Sequence, residues 1–320
     1  MAPVIRGNSL YTIVDGLNWQ GGENYAIKLG GHLASISSSE EDIFLKENFQ
    51  RGWIGLTDTA SEGTWRWTDG SQVTYTNWEV GQPDNTREIQ HYAQAWTQSG
   101  KWDDAEEDTP QQSIAFNKRS IIEIPFIRRG DSAYVIVSGP TWEEAEANAV
   151  KLGGHLVTIN DAAENEWIAT SYGGRGGTYN PSGLWKYWIG LKKTNSDGDL
   201  TWISKEPLSY QNFHQGSNAS SNEYAFINLW QTQLSYEGNN GVWVPHANLH
   251  GDYDGKKMTG IAEIKLAPNN TPTGTPTVAG TFKVGSTLTI DATAIKDSDN
   301  FTGYTPTFKY NWETSTDGTT

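Results

Sequence analysis

Strand-forming runs and helical hydrophobic periods follow one another in the same order twice along this chain. Tyr11–Val14 and Tyr134–Val137 are short runs of β-branched and aromatic residues and predict strands. After the second run Trp142, Ala145, Ala149 and Leu152 recur at helical spacing as one apolar stripe, and Gly153-Gly154 ends the pattern. A second helix is announced in each half by a polar cap three residues ahead of a glutamate, Ser38 with Glu41 and Asp161 with Glu164, the arrangement of a capping box. The pairs Phe44-Leu45 and Trp167-Ile168 then turn to the core, and each half closes on an apolar strand, Ile121–Ile124 and Ile261–Ile264.

The two halves are copies. Arg6-Gly7, Ser9, Tyr11, Ile13, Val14, Gly16 and Trp19 return 123 positions later as Arg129-Gly130, Ser132, Tyr134, Ile136, Val137, Gly139 and Trp142. The register holds through Gly30-Gly31-His32-Leu33 against Gly153-Gly154-His155-Leu156. It then lengthens to 135, because copy two inserts a Gly-, Tyr- and Ser-rich stretch over 171–177 that reads as a loop, after which Trp53–Leu56 matches Trp188–Leu191. A period this long is a duplicated domain, not a solenoid repeat. The expected organisation is copy one over 1–127, copy two over 128–267, and a distinct segment over 268–320.

That last segment opens on an Asn-, Thr-, Pro- and Gly-rich linker and continues with two alternating runs, Thr287–Ile290 and Phe308–Trp312. Its Val284-Gly285-Ser286-Thr287-Leu288-Thr289 and Tyr310-Asn311-Trp312 resemble the front of a bacterial immunoglobulin-like module, and the chain stops short of a closed sandwich, so a longer parent protein is expected.

Composition narrows the function. Fifteen Trp, 14 Tyr and 9 Phe in 320 residues mark a globular protein. A net charge of -15 disfavours nucleic acid and anionic membrane as partners and favours cations. No stretch approaches the roughly 20 apolar residues of a membrane span, the first residues lack the apolar core of a secretory signal, and the absence of Cys excludes disulfides and thiolate metal sites. No Gly-x-Ser-x-Gly elbow or phosphate-binding glycine loop is present, so a non-enzymatic role is expected.

Copy one resembles the C-type lectin-like domain over nearly its whole length. The resemblance rests on Gly30–Ile36, Trp53-Ile54-Gly55-Leu56, Glu62-Gly63 with Trp65 and Trp67, and Asp69-Gly70. It continues through Tyr75, Asn77, Trp78, Gly81, Gln82-Pro83-Asp84 and Trp102-Asp103-Asp104. Copy two matches in its first half and poorly in its second. The resemblance implies an α+β fold with two helices, small antiparallel sheets and a long ligand loop in each copy. The family's disulfides are missing, as in cysteine-free bacterial members, so the aromatic core must supply that stability.

In the family a calcium ion bridges protein oxygens and two sugar hydroxyls, which suits a hard cation that takes six to eight oxygen ligands. Gln82-Pro83-Asp84 resembles the galactose-type triplet, and a cis Pro83 would turn both flanking side chains to one side. The remaining ligand positions fall on Gln90, Asp103 and Asp104, so the resemblance implies that Gln82, Asp84, Gln90, Asp103 and Asp104 hold calcium and a galactose-type sugar. Glu88 could replace Gln90 through a loop shift, and Trp96 or His91 could offer the face on which a sugar stacks. In copy two the triplet positions hold Ser217, Asn218 and Ala219, and Val244-Pro245 replaces the acidic pair, leaving Glu223 alone; that copy reads as a scaffold or protein-binding variant. His246, His250, Asp252 and Asp254 could bind a transition metal but read more readily as solvent-facing residues.

The leading expectation is therefore a calcium-dependent carbohydrate-binding domain in an adhesin, extracellular or at the cell surface and exported without an N-terminal signal. The alternative is a calcium-independent module that presents its loops to a protein or other surface.

Overall fold

The computed structural model describes residues 3–97, 99–107, 119–173, 184–193, 199–214, 223–230, 241–246, 258–266, 273–281 and 286–296. Met1–Asn269 form one compact unit and Asn270–Thr320 a second.

Copy one runs β1 (Val4–Arg6), β2 (Ser9–Asp15), α1 (Trp19–Lys28), β3 (His32–Leu33), α2 (Ser39–Phe49), β4 (Gly52–Thr57), β5 (Arg66–Trp67), β6 (Tyr92–Ala95), β7 (Asp103–Ala105) and β8 (Arg119–Pro125). Copy two repeats the series as β9 (Ile127–Arg129), β10 (Ser132–Ser138), α3 (Trp142–Lys151), β11 (His155–Leu156), α4 (Ala162–Tyr172), β12 (Leu184–Lys193), β13 (Leu200–Trp202), β14 (Tyr224–Trp230), β15 (Val242–His246) and β16 (Thr259–Lys265). The sheets have the same topology, β1-β2-β8-β4-β6-β7 and β9-β10-β16-β12-β14-β15. The closing strand of each copy returns beside its opening strand in matched register, Tyr11 opposite Glu123 and Tyr134 opposite Glu263. The β1 and β9 strands were not foreseen; each forms a hairpin with the strand after it, turning at Gly7 or Gly130 with positive φ.

Side-chain hydrogen bonds stand where covalent bridges are absent. Trp19 and Trp142 donate their indole N–H to the carbonyls of Ile54 and Ile189, both at 2.8 Å. Glu23 on α1 accepts the Leu33 N–H and pairs with His32, and Glu146 on α3 does the same for Leu156 and His155. Burial and the flanking Glu123 and Glu41 carboxylates push the Tyr11 hydroxyl far above its ordinary pKa.

Two details of the helices differ from expectation. Ser38 and Asp161 do accept the N–H of Glu41 and Glu164, but those glutamates reach back past the cap, to the N–H groups of Ser37 and Asn160. The reciprocal capping box forms instead on α3, between Thr141 and Glu144. Ser171 and Tyr172, read as loop, complete the last turn of α4; Tyr172 is buried, and that burial extends the helix.

The paired glycines have two separate tasks. Gly31 and Gly154 let the helix end pass the closing strand, since a Cβ there would lie 2.0 or 2.1 Å from the carbonyl oxygen of Glu123 or Glu263. Gly30 and Gly153 both take positive φ, 87° and 84°, but only Gly30 also abuts copy two: its Cβ would stand 2.0 Å from the Ile136 carbonyl oxygen. One buried apolar cluster accordingly includes Leu29 and Phe126 together with Val135 and Val137. Gly30→Ala should therefore destabilise the protein by about 1–3 kcal/mol more than Gly153→Ala, because both share the backbone strain and only the first forces the copies apart. Equal shifts in denaturant midpoint would show that the contact between copies carries no stability.

In the second unit β17 (Thr277–Gly280) and β18 (Leu288–Asp291) pair antiparallel. The Phe308–Trp312 run lies outside the described residues. No described helix is long and apolar enough to cross a membrane.

Candidate functional site

The loop of copy one is fixed at its base by a buried carboxylate on α2. Asp42, in the first turn of that helix, accepts both indole N–H groups of Trp96 and Trp102 at 2.9 Å and the amide of Asn77 at 2.7 Å. The backbone repeats this connection: Trp102 N–H donates to the Asn77 carbonyl, and Glu79 N–H donates to the Trp102 carbonyl. Trp102 leads directly into Asp103-Asp104 on β7, while Glu79 leads through Gly81, at φ 93°, into Gln82. Two segments about 20 residues apart in sequence are thus laid side by side.

The Gln82–Pro83 peptide bond is cis. Beyond it the chain folds over Asp104, which is fully buried on β7 opposite Ala93 and accepts the N–H of Asp84 at 3.1 Å and of Asn85 at 2.8 Å. Asp84 is exposed and accepts the N–H and hydroxyl of Thr86. Gln90 spans the loop, its amide oxygen 2.6 Å from the Thr86 N–H and its amide nitrogen donating to the Asp104 carbonyl. Gln82, Asp84, Gln90, Asp103 and Asp104 therefore belong to one loop-and-strand assembly, into which Gln90 is bonded, while Glu88 is exposed.

Two oxygens of this assembly, Gln82 Oε1 and Asp103 Oδ1, are buried without a hydrogen-bond partner. An unsatisfied buried carboxylate oxygen is costly. Asp103 shows that cost, for burial, reinforced by Asp104, Asp84 and Glu79 against the opposing Arg51, pushes its pKa up to about 6. The donor set fits a hard cation: it is all oxygen, it is locally over-negative, and each Asp104 oxygen that accepts one N–H keeps a second lone pair. The carboxylates of Asp84, Asp103 and Asp104 are not gathered into a tight trio, so such an ion would need the Gln82 and Gln90 amide oxygens and a rotation of the exposed Asp84 side chain. Among the described residues the trio of acid and imidazole groups whose ligand atoms all lie within 4.8 Å of one another is Asp58, Glu62 and His91. The sequence reading missed it, because His91 lies 33 positions beyond Asp58.

Neither suggested stacking face is free. Trp96 is a core residue, 4% exposed and bonded to Asp42, and His91 is paired with Asp58 and Glu62. In copy two the aromatic scaffold persists, with Trp202, Tyr210 and Phe213 edge-on to Trp243, but Val244 and Pro245 lie within β15 opposite Phe226 and Ala225. Ser217, Asn218 and Ala219 lie outside the described residues, as do His250, Asp252 and Asp254, whereas His246 packs edge-on against Trp188 and Phe226.

Against known proteins, the family described as "Lectin C-type domain" matches residues 15–114 and 138–244, one match in each copy. Human C-type mannose receptor 2 is 27% identical over 214 residues, 62% of this chain and 14% of the receptor. The chain thus spans about a seventh of that relative's length. The galactose-specific lectin nattectin of Thalassophryne nattereri is 35% identical over 108 residues, 31% of this chain and 67% of nattectin. Among solved structures, the C-type carbohydrate-recognition domain of cow CD23, crystallised with a GlcNAc2Man3 oligosaccharide, is 26% identical, with a TM-score of 0.36, over 40% of this chain and 95% of that domain.

Proposed function

The chain belongs to the lectin C-type domain family, whose domains are typically non-enzymatic binding modules, and we propose that copy one binds a galactose-type glycan through a calcium ion. The observation that carries this reading is the pair of orphaned buried oxygens, Gln82 Oε1 and Asp103 Oδ1, beside the fully buried Asp104. Gln82, Asp84, Gln90, Asp103 and Asp104 would hold the ion, and the bound ion supplies the open coordination positions that two vicinal sugar hydroxyls fill. The galactose preference is supported by the Gln-Pro-Asp order and by the likeness to a galactose-specific lectin. Copy two, with Val244-Pro245 at the ligand position, acts as scaffold or as a protein-binding surface. The domains run 1–127 and 128–267, ahead of an immunoglobulin-like module from 268, in an adhesin that works outside the cell or on its surface.

A calcium-independent interaction module is the second reading. It is favoured by one specific observation: Asp104 and Gln90 already have hydrogen-bond partners within the loop. A glycan array probed with the full chain, with and without chelator, separates the two. The expected result is retention of terminal galactose-type glycans that is lost in chelator. Undiminished binding in chelator, or no glycan retained in millimolar calcium, would overturn the calcium-lectin reading.

A further inference from the structure

We infer that copy one holds a proton between two glutamates, Glu41 of α2 and Glu123 of β8, and that copy two has a lysine in its place. The Tyr11 hydroxyl oxygen on β2 lies 2.9 Å from Glu41 Oε1 and 2.9 Å from Glu123 Oε1. A phenol has one proton to donate. With both glutamates ionised, one of those contacts would set lone pair against lone pair in the interior, where Tyr11 is 1% and Glu41 5% exposed. A proton on Glu123 removes the conflict: Glu123 donates to the Tyr11 oxygen, and Tyr11 donates to Glu41.

The donors around each glutamate decide which one takes the proton. Glu41 is provided for as a carboxylate, with Arg6 3.1 Å from Oε1 and the N–H and hydroxyl of Ser37 donating to Oε2 at 2.8 Å. Glu123 accepts the Ser9 hydroxyl at 2.8 Å on Oε1, but its Oε2 meets the Ser35 N–H and hydroxyl at a long 3.3 Å. That hydroxyl lies nearer to Asp69, at 2.8 Å. Burial, joined by the Glu41 charge and opposed by the hydroxyls of Ser9 and Tyr11, raises the Glu123 pKa above its ordinary 4.5. The other charges facing it are Arg6 on β1, His32 on β3 and Asp69 in the turn after β5.

Copy two repeats the frame with a different charge balance. Tyr134 donates to Glu164 at 2.7 Å beside Arg129, while Glu263 accepts the Ser132 hydroxyl at 2.8 Å and the Lys265 ammonium at 2.9 Å. Lys265 stands opposite Ser132 as Pro125 stands opposite Ser9, and the partner of Thr158 is Ser204 where Ser35 has Asp69. Copy one therefore lacks a cation and gains a carboxylate, and a proton offsets part of that difference. Glu41 adjoins Asp42, which holds the base of the loop, although the proton does not depend on what the loop binds.

The test compares the metal-free full chain with Glu123→Gln, whose amide can donate to Tyr11 at any pH. Between pH 4.5 and about 6 the ratio of folding constants from denaturant unfolding, variant over parent, should rise by up to about tenfold per pH unit. The sign follows from the raised pKa: the proton's contribution is complete below 4.5 and is lost as pH rises through the folded value. Asp103 is common to both proteins, and His32 stays charged over this window because its bond to Glu23 raises its pKa above 6.5. Infrared difference spectra at about pH 6 should show an un-ionised carboxyl in the parent that is missing from Glu123→Gln. It should also be missing from Pro125→Lys, which gives copy one the cation of copy two at an exposed position. A ratio that stays flat or falls over the window, or a parent without that carboxyl, would overturn the inference. A carboxyl that survives in Glu123→Gln would do the same, and one that survives in Pro125→Lys would overturn the exchange with Lys265.

Discussion

Asp104→Ala should abolish calcium binding and calcium-dependent glycan binding, and should also lower the melting temperature. The second effect follows from burial. Asp104 is fully buried and holds the N–H groups of Asp84 and Asn85. Losing two hydrogen bonds to a buried carboxylate should cost about 2–4 kcal/mol. Asp103→Asn provides the contrast. In the folded protein the Asp103 pKa is pushed up to about 6 from an ordinary 3.8. Its ionised form therefore destabilises the metal-free fold, by an amount absent below pH 4, growing between pH 4 and 6, and constant above. Metal-free Asp103→Asn should melt above the parent at pH 7 and together with it at pH 3.5, while binding calcium more weakly. Melting curves and calcium titrations on both variants check this. An Asp104→Ala protein that binds calcium as the parent does, or an Asp103→Asn protein that melts lower at pH 7, would contradict the assigned roles.

The parts of this molecule that were legible in the sequence are those encoded by local period and by the duplication itself. Trp142, Ala145, Ala149 and Leu152 announce α3 because a helix buries one stripe, and the Tyr11 and Tyr134 strands are announced by their β-branched neighbours. The five loop residues were found through family spacing, and they lie on the loop and the strand beneath it without their carboxylates closing into a tight trio. What stayed hidden is long-range. Nothing near Gly30 says that its neighbour is Ile136, since that contact depends on how the two copies meet. Asp58 and His91 are joined only by the pairing of β4 with β6, which a sequence does not state. The glutamates at 41 and 164 stand at box spacing but bond to the N–H of the residue before each cap, a choice that the spacing alone does not decide. Asp42 reads as an ordinary acidic residue of a helix's first turn, although its carboxylate carries the base of the loop.

That hub leads to the largest stability effect expected here. Asp42→Ala should destabilise the protein by about 3–5 kcal/mol, because it leaves two indole N–H groups and an amide without an acceptor in the core. Copy two supplies the control. Its counterpart, Asn165, accepts one donor, the Trp243 indole at 2.8 Å. The Trp96 position is taken by Asn228 on β14, and the Asn77 equivalent, Asn212, donates to the Gly241 carbonyl instead. One neutral acceptor lost should cost only about 1–2 kcal/mol in Asn165→Ala. Asp42 also joins Trp102, which precedes Asp103, to Asn77, which precedes the Gln82 turn, so its loss should weaken calcium binding although it touches no proposed ligand. Denaturant unfolding of both variants, with a calcium titration of each, measures these terms together. Equal destabilisation by the two substitutions would mean that the extra donors at Asp42 add nothing, and unchanged calcium affinity in Asp42→Ala would mean that the loop keeps its shape without its base.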